Sequence, residues 1–211
     1  PISSIRGYLE TLVNHPEIDP ENQQLFTERA YLQSLRLSDM IRDISLITKL
    51  EEAPHQFKTE PVNIRNVFEE VTEELGETLD AHSITVNNNL PPICVRGNYQ
   101  LIYSIFRNLV ENTAKYAGDG STATMDYSTS KDETHILNYW DNGRGVAPEM
   151  LDRIFERFFR LNDDRSRTSE GSGLGLSIIK NAVLFHKGEI TAYNVENKGL
   201  GFRFTLQDLP R

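Results

Sequence analysis

The sequence contains 211 residues, which is enough to bury the core of one large domain or of two modest ones. Its 38% hydrophobic and 25% charged residues are typical of globular chains, and no apolar run approaches the roughly 20 residues that a membrane-spanning helix needs. The net charge of -9 comes without a cluster of basic residues, which argues against nucleic acid as the main partner.

The first quarter of the chain has the pattern of two amphipathic helices. In the first, apolar residues recur every three or four positions, at Ile2, Ile5, Leu9 and Leu12. Residues 14–18 break this pattern, and Asp19 and Pro20 are suited to begin a second helix. The apolar stripe over residues 26–50 is wider than a two-stranded seam, as the core of a four-helix bundle requires. We therefore predict that the hairpin of residues 1–52 forms a homodimer; packing against the rest of the chain is the alternative.

Residues 53–60 are predicted to form a polar linker, and residues 61–211 a second domain with alternating helix and strand patterns. Asn63 is suited to cap its first helix. Further helices are predicted at 99–116, 150–159 and 176–186, and strands at 84–86, 93–95, 123–127, 135–140, 190–195 and 202–206. This pattern indicates an α/β sandwich, in which helices cover one face of a mixed sheet. With the hairpin, the predicted fold class is α+β.

Cys94 is the chain's single cysteine, so the chain can form no internal disulfide, as is usual in a reducing compartment. It lies between Ile93 and Val95, in an apolar stretch. This context predicts a small core residue rather than a reactive thiol.

Several familiar nucleotide motifs are missing from the chain. It has no G-x-x-x-x-G-K-[ST] loop and neither the H-R-D nor the D-F-G of protein kinases. The glycines of residues 171–175 do not have the spacing of the dinucleotide fingerprint. Any nucleotide site must therefore be of another kind.

The first of four candidate clusters runs from Asn108 to Tyr116. On a helix, Asn108, Asn112, Lys115 and Tyr116 lie on one side, where they could serve magnesium, phosphate and an aromatic base. Asparagine oxygens are suitable ligands for magnesium, which is a hard cation. A solvated helix face is the alternative. Glu111 lies four residues before Lys115, a spacing that favours a surface ion pair over a catalytic base.

The second cluster, residues 141–145, follows a predicted strand directly. Asp141 could accept a hydrogen bond from an exocyclic amine, and Gly143 and Gly145 would let the backbone approach a ligand. A tight turn between a strand and a helix is the alternative.

The third cluster is the aromatic segment of residues 154–159, which precedes the polar residues 162–170. With Arg165 and Arg167, the polar stretch is suited to a mobile lid over phosphates, although an ordinary solvated loop would look the same.

The fourth cluster contains Gly171, Gly173 and Gly175 and opens a predicted helix. The free amides and the dipole of a helix N-terminus favour an anion there. A flexible turn is the alternative.

The order of these clusters resembles the N box, first glycine box, F box and second glycine box of bacterial sensor histidine kinases. Residues 199–202 resemble the final glycine motif of that family. The resemblance covers residues 2–50 as the dimerisation hairpin and 59–209 as the ATP-binding catalytic domain. It implies a cytoplasmic ATP:protein-histidine phosphotransferase of a two-component system, with relay to an aspartate of a response-regulator receiver domain.

The resemblance also implies ATP and Mg²⁺ as cofactors and transfers roles to matching positions. The metal ligands would be Asn108 and Asn112, which also belong to the nucleotide site. The phosphate contacts with a catalytic role would be Lys115 and Arg167. The other nucleotide contacts would be Tyr116, Asp141, Gly143, Gly145, Gly171, Gly173 and Gly175.

The phosphoacceptor motif of that family reads H-E-x-[RK]-[TN]-P, and residues 1–8 resemble its continuation from the proline. We therefore expect the acceptor histidine, and any membrane-spanning segment, to lie upstream. His186 is expected to end a helix as a cation that complements the helix dipole. None of the five histidines matches the acceptor motif: His15, His55, His82, His135 and His186.

Two other classes of function stay open at this point. A clamp ATPase of the gyrase or mismatch-repair type would carry glutamate at the position of Asn108, so hydrolysis by this chain should be slow. A nucleotide-sensing dimerisation module would act through a partner contact, although a full set of glycine clusters favours catalysis.

Overall fold

The computed structural model describes residues 1–130, 134–161, 171–195 and 199–209. Contacts divide the chain into two compact units, Pro1–Leu46 and Ile47–Arg211. Within the described ranges, no helix is long and apolar enough to cross a membrane. The functional boundaries at residues 1–52, 53–60 and 61–211 stay predictions.

The first two helices form the predicted hairpin, with α1 at Ile2–Asn14 and α2 at Pro20–Glu52. Asp19 caps α2, because its Oδ1 accepts a hydrogen bond of 3.0 Å from the backbone N–H of Asn22. Many large apolar side chains of the hairpin are exposed to solvent in the single chain: Ile2, Leu9, Val13, Leu25, Leu32, Leu35, Ile41 and Ile44. An exposed apolar surface of this kind is typical of an association site.

The segment after the hairpin contains a short strand that the sequence did not indicate. β1, Glu60–Asn63, pairs antiparallel with β3, Cys94–Gly97. Val95 is fully buried, whereas Cys94 is exposed. The prediction that Cys94 is a core residue is therefore wrong, because successive side chains of a strand point to opposite faces and Val95 occupies the inner one.

Asparagine side chains cap two helices of the second unit, those that begin at Ile64 and Tyr99. Asn63 Oδ1 accepts hydrogen bonds from the backbone N–H groups of Arg65 and Asn66, as predicted for the cap. The helices are α3 (Ile64–Glu74), α4 (Gly76–Ala81), α5 (Tyr99–Tyr116) and α6 (Gly175–Phe185).

The helix predicted at residues 150–159 is wrong. Only two short 3₁₀ turns occur there, Pro148–Met150 and Arg153–Phe155. Phe158 has a φ of 61°, which a right-handed helix cannot contain.

A five-stranded mixed sheet lies at the centre of the second unit, in the order β2-β4-β5-β7-β6. β2 pairs parallel with β4, and the other pairs are antiparallel. The strands are β2 (Thr85–Asn88), β4 (Thr122–Thr129), β5 (His135–Asp141), β6 (Ile190–Asn194) and β7 (Leu200–Leu206).

One face of the sheet is buried under helices. Tyr139 of β5 contacts the ring of Phe68 of α3 at 6.4 Å between centroids, and its hydroxyl bonds to Thr113 of α5 at 2.8 Å. Phe202 and Phe204 of β7 are buried on this face. The predicted α+β class, with a mixed sheet covered by helices, is confirmed.

His186 joins the end of α6 to the start of α5. Its ring is fully buried, and Nε2 accepts a hydrogen bond of 3.1 Å from the backbone N–H of Asn98. Nδ1 therefore carries the proton and donates to the carbonyl of Ala182 at 2.7 Å. Burial lowers the pKa of His186 from its ordinary value of 6.5. The ring is neutral, so the prediction of a cation at this helix end is wrong.

We predict that this neutral ring makes stability depend on pH. Below about pH 6.5 the unfolded chain binds a proton at His186 while the folded chain does not, so the free energy of unfolding falls as the pH drops toward the lower folded pKa. Above about pH 6.5 the contribution is constant. His186→Gln should be less stable throughout and should lose this part of the pH dependence.

Urea unfolding of both proteins at about pH 7.5 and about pH 5.5 provides the measurement. Trp140, the only tryptophan, lies in β5 and reports on the second unit. Equal losses of unfolding free energy in the wild type and in His186→Gln would contradict the assignment.

Candidate functional site

The second and fourth clusters meet the first along the second half of α5. A methyl group on Gly175 would lie 2.5 Å from Oδ1 of Asn108, and one on Gly171 would lie 3.0 Å from the hydroxyl of Tyr116. A methyl group on Gly143 would lie 2.6 Å from the Cα of Ala117, which follows α5 directly. These contacts bring both glycine-containing segments, residues 141–145 and 171–175, against the same helix, and the absence of side chains is what allows the approach.

The two asparagines of α5 differ in their own hydrogen bonds. The amide NH₂ of Asn108 donates to the carbonyl of Ser104 at 2.8 Å, which turns its oxygen toward Gly175. Asn112 is half-buried, and its side chain makes no hydrogen bond with the residues that the structure describes. Both amide oxygens are therefore available to a ligand.

Asp141 is the buried carboxylate of the site, with 8% of its surface exposed. Oδ1 accepts hydrogen bonds from the backbone N–H groups of Gly143 at 2.9 Å and Leu200 at 3.3 Å. Burial raises the pKa of Asp141, and the two amides offset only part of that effect.

The second oxygen of Asp141, Oδ2, has no protein partner within the described ranges. It is not among the fully buried polar atoms that lack a hydrogen bond, because Ser121 Oγ is the one such atom in those ranges. Oδ2 is therefore open to a hydrogen-bond donor from outside the chain. It can take part in recognition without disturbing the two bonds that hold Oδ1.

The loop that follows Asp141 is held by a residue that the sequence analysis missed. The side chain of Asn194, at the end of β6, accepts from the N–H of Val146 at 2.9 Å and donates to its carbonyl at 2.6 Å. Gly145, with a φ of 67°, packs against the same amide. Asn194 thus acts as a short strand partner for the loop. It lies 48 residues from Val146, and no local pattern marks it.

The glycine segment before α6 closes on the aromatic cluster. The N–H of Phe158 donates to the carbonyl of Gly173 at 2.8 Å, and a methyl group on Gly173 would lie 2.9 Å from the Phe158 backbone. Gly173 has a φ of 71°, in the left-handed region that favours glycine. The two ends of the predicted lid are therefore joined. Arg165 and Arg167, within the lid, lie outside the described residues.

Lys115 and Tyr116 stand at the last turn of α5. The ammonium of Lys115 donates to Oε2 of Glu111 at 2.8 Å, so the ion pair predicted from their spacing is confirmed. Tyr116 is half-buried, with its hydroxyl close to Gly171.

Residues 97–210 match the family described as histidine kinase-, DNA gyrase B- and HSP90-like ATPases. The match spans more than half of the chain and includes all four clusters. The chain belongs to this family. Its second unit therefore contains an ATP-binding domain of this type.

Curated relatives narrow the assignment within the family. The sensor histidine kinase RppB of Synechocystis is 30% identical over 98% of this chain and 46% of its own length. WalK of Bacillus subtilis, also a sensor histidine kinase, is 26% identical over 98% of this chain and 34% of its own length. The chain thus spans less than half of the length of these relatives. Since both are similar over 98% of this chain, the chain is a sensor histidine kinase core.

Solved structures share the fold along the chain. The histidine kinase AdeS of Acinetobacter baumannii has a TM-score of 0.79 with 19% identity and covers all of this chain and 96% of its own. The histidine kinase ThkA, solved with the response regulator protein TrrA, has a TM-score of 0.75 with 22% identity over all of this chain and 58% of its own.

The donor set of the site fits a magnesium nucleotide better than a metal bound by protein alone. No group of three or more histidine, cysteine or acidic residues gathers in the described ranges. Magnesium does not need one, since it keeps several waters and takes one or two protein oxygens together with phosphate oxygens. The free amide oxygens of Asn108 and Asn112 suit that role.

Proposed function

We propose that residues 61–211 bind magnesium-ATP and transfer its terminal phosphoryl group to a histidine of the parent protein. The observation that carries the proposal is the buried carboxylate of Asp141, whose Oδ2 is open while Oδ1 is held by two backbone amides. In this proposal Oδ2 accepts a hydrogen bond from the exocyclic amine of adenine. Gly143 and Gly145 leave room for the base, and Tyr116 packs near it.

The phosphate end of the nucleotide would lie against α5 and the start of α6. The amide oxygens of Asn108 and Asn112 would hold magnesium, which when bound supplies positive charge to the phosphates. Lys115 would contact a phosphate oxygen as a compact cation. The backbone amides around Gly171, Gly173 and Gly175 would add hydrogen bonds, and Arg167 would close from the lid.

These residues can position and stabilise, but none of them supplies a base for water. Asn108 stands where a clamp ATPase carries glutamate, and its amide group donates to Ser104 instead of accepting a proton. Phosphoryl transfer needs a positioned acceptor and charge stabilisation more than it needs covalent help from the protein. The site is therefore suited to transfer to a presented imidazole rather than to hydrolysis.

We further propose that the acceptor histidine lies outside residues 1–211. His186 is fully buried with both ring nitrogens engaged, and the side chain of His135 is only 13% exposed. His15 lies between α1 and α2, where it bonds to Glu17. The resemblance of residues 1–8 to the continuation of the acceptor motif supports an upstream position.

The partners follow from the same assignment. We propose a cytoplasmic homodimer formed through the hairpin, whose exposed apolar side chains on α1 and α2 would be covered by a second copy. A response-regulator receiver domain would then accept the phosphoryl group. The complex of ThkA with TrrA supports this kind of partner.

Asp141→Asn should reverse the preference for the base. The two backbone N–H groups keep an oxygen at the Oδ1 position, so the new NH₂ must stand at Oδ2, where it opposes the adenine amine. We expect ADP affinity to fall about 10- to 100-fold, in line with a mismatched buried hydrogen bond. The affinity of the variant for IDP, whose base carries a carbonyl at that position, should not fall, so IDP should bind better relative to ADP than it does to the wild type.

Titration calorimetry with ADP and IDP in magnesium buffer measures both affinities in both proteins. Asn66→Asp is the control, since it exchanges an amide and a carboxylate at an exposed residue of α3 outside the four clusters, and it should leave both affinities unchanged. Unchanged ADP affinity in Asp141→Asn, or an equal loss for ADP and IDP, would remove Asp141 from the base site.

The chain of residues 1–211 should bind ATP but form no phosphohistidine, because no imidazole in it is presented in the acceptor motif. Radiolabelled ATP tests this, since phosphohistidine is labile in acid and stable in base. A form extended upstream to include the acceptor should become labelled. Acid-labile label on residues 1–211 would show that the acceptor is misplaced, and an unlabelled extended form would favour a nucleotide-sensing module.

A further inference from the structure

Glu111 lies between two cations on the surface of α5. Its Oε1 accepts from Nε of Arg107 at 2.9 Å, and its Oε2 accepts from Nζ of Lys115 at 2.8 Å. The side chain is only 28% exposed. Burial opposes its charge, but the attraction of Lys115 and Arg107 outweighs burial and lowers the pKa of Glu111. The carboxylate is thus ionised and fixed by both of its oxygens.

Arg107 is itself held from a neighbouring helix. Its Nη1 donates to Oε1 of Glu74 on α3 at 2.5 Å and to the hydroxyl of Tyr103 at 3.1 Å. Tyr103 in turn donates to Glu74. Charges of alternating sign therefore run from α3 along α5 and end at Lys115. A network of this kind holds its members more firmly than an isolated surface pair does.

The bond to Glu111 determines where the ammonium of Lys115 lies. Glu111 lies one turn before Lys115, on the opposite side of it from Asn112, so the bond draws the ammonium back along the helix to the flank of the asparagine face. Without this partner, four rotatable bonds would let the ammonium move freely in solvent. An ammonium has three N–H donors, and Glu111 uses one, so donors are left for a phosphate oxygen.

We infer that Glu111 is a positioning residue, which holds the ammonium of Lys115 back along α5, beside the asparagine face, so that it meets the nucleotide phosphates. Arg107 fixes the carboxylate and balances its negative charge, so that the phosphates do not face an uncompensated anion. The inference rests on the proposed function, in which Lys115 is a phosphate contact.

The test compares Glu111→Gln with the wild type in binding AMP-PNP and adenosine in magnesium buffer. Arg107 retains the amide oxygen of the glutamine, so its NH₂ faces the ammonium and releases it. We expect the affinity for AMP-PNP to fall about two- to tenfold, which is the loss expected from freeing one long side chain. Adenosine affinity should not change, because adenosine has no phosphate.

Glu69→Gln is the matched control. Glu69 on α3 forms the same kind of pair, accepting from Nε of Arg65 four residues earlier at 2.8 Å, and it lies on another helix. Its substitution should leave both affinities unchanged. In a Lys115→Met background, Glu111→Gln should have no further effect on AMP-PNP binding, since there is no ammonium left to position.

Each other outcome overturns the inference in a distinct way. Tighter binding of AMP-PNP by Glu111→Gln would mean that Glu111 competes with phosphate for Lys115. Equal losses for AMP-PNP and adenosine would indicate a structural role, and unchanged affinities a surface pair without function. A wild-type chain that binds neither AMP-PNP nor adenosine would overturn the proposed function itself.

Discussion

Burying the carboxylate of Asp141 at the end of β5 costs free energy that only directed hydrogen bonds can offset. The two backbone amides on Oδ1 offset part of the cost, and the pKa of Asp141 stays above its ordinary value. The free energy of unfolding is therefore lower when Asp141 is ionised than when its carboxyl group is neutral. A cost of this kind is typical of a functional site, where the missing hydrogen bond is supplied by a ligand.

The surroundings of Asp141 depend on backbones that approach one another more closely than side chains would allow. A methyl group on Gly199 would lie 2.0 Å from the carbonyl of Asp141, and methyl groups on Gly143, Gly173 and Gly175 would lie 2.6, 2.9 and 2.5 Å from their nearest neighbours. These contacts bring the end of β5, Gly199, α5 and the start of α6 together. The glycines are required by packing between segments, and in the proposed function the same close approach leaves their backbone amides accessible to phosphate.

The sequence predicted those parts of the fold that local chemistry decides. The bounds of α5 agree with the prediction because Asn98 caps its start and its apolar face is regular. The clusters were found because their residue types suit a nucleotide. Contacts between distant segments decide the rest: Phe158 leaves the helical region where Gly173 meets it, His186 is neutral because the N–H of Asn98 faces it, and Asn194 holds a loop 48 residues away.

A crystal structure of the chain with magnesium and AMP-PNP would test the central claim most directly. Oδ2 of Asp141 should lie about 3 Å from the exocyclic amine of adenine, while Oδ1 keeps its two backbone amides. The amide oxygen of Asn112 should contact the metal, and Lys115 should bridge Glu111 and a phosphate oxygen. An adenine bound away from Asp141, or a water in place of the amine at Oδ2, would contradict it.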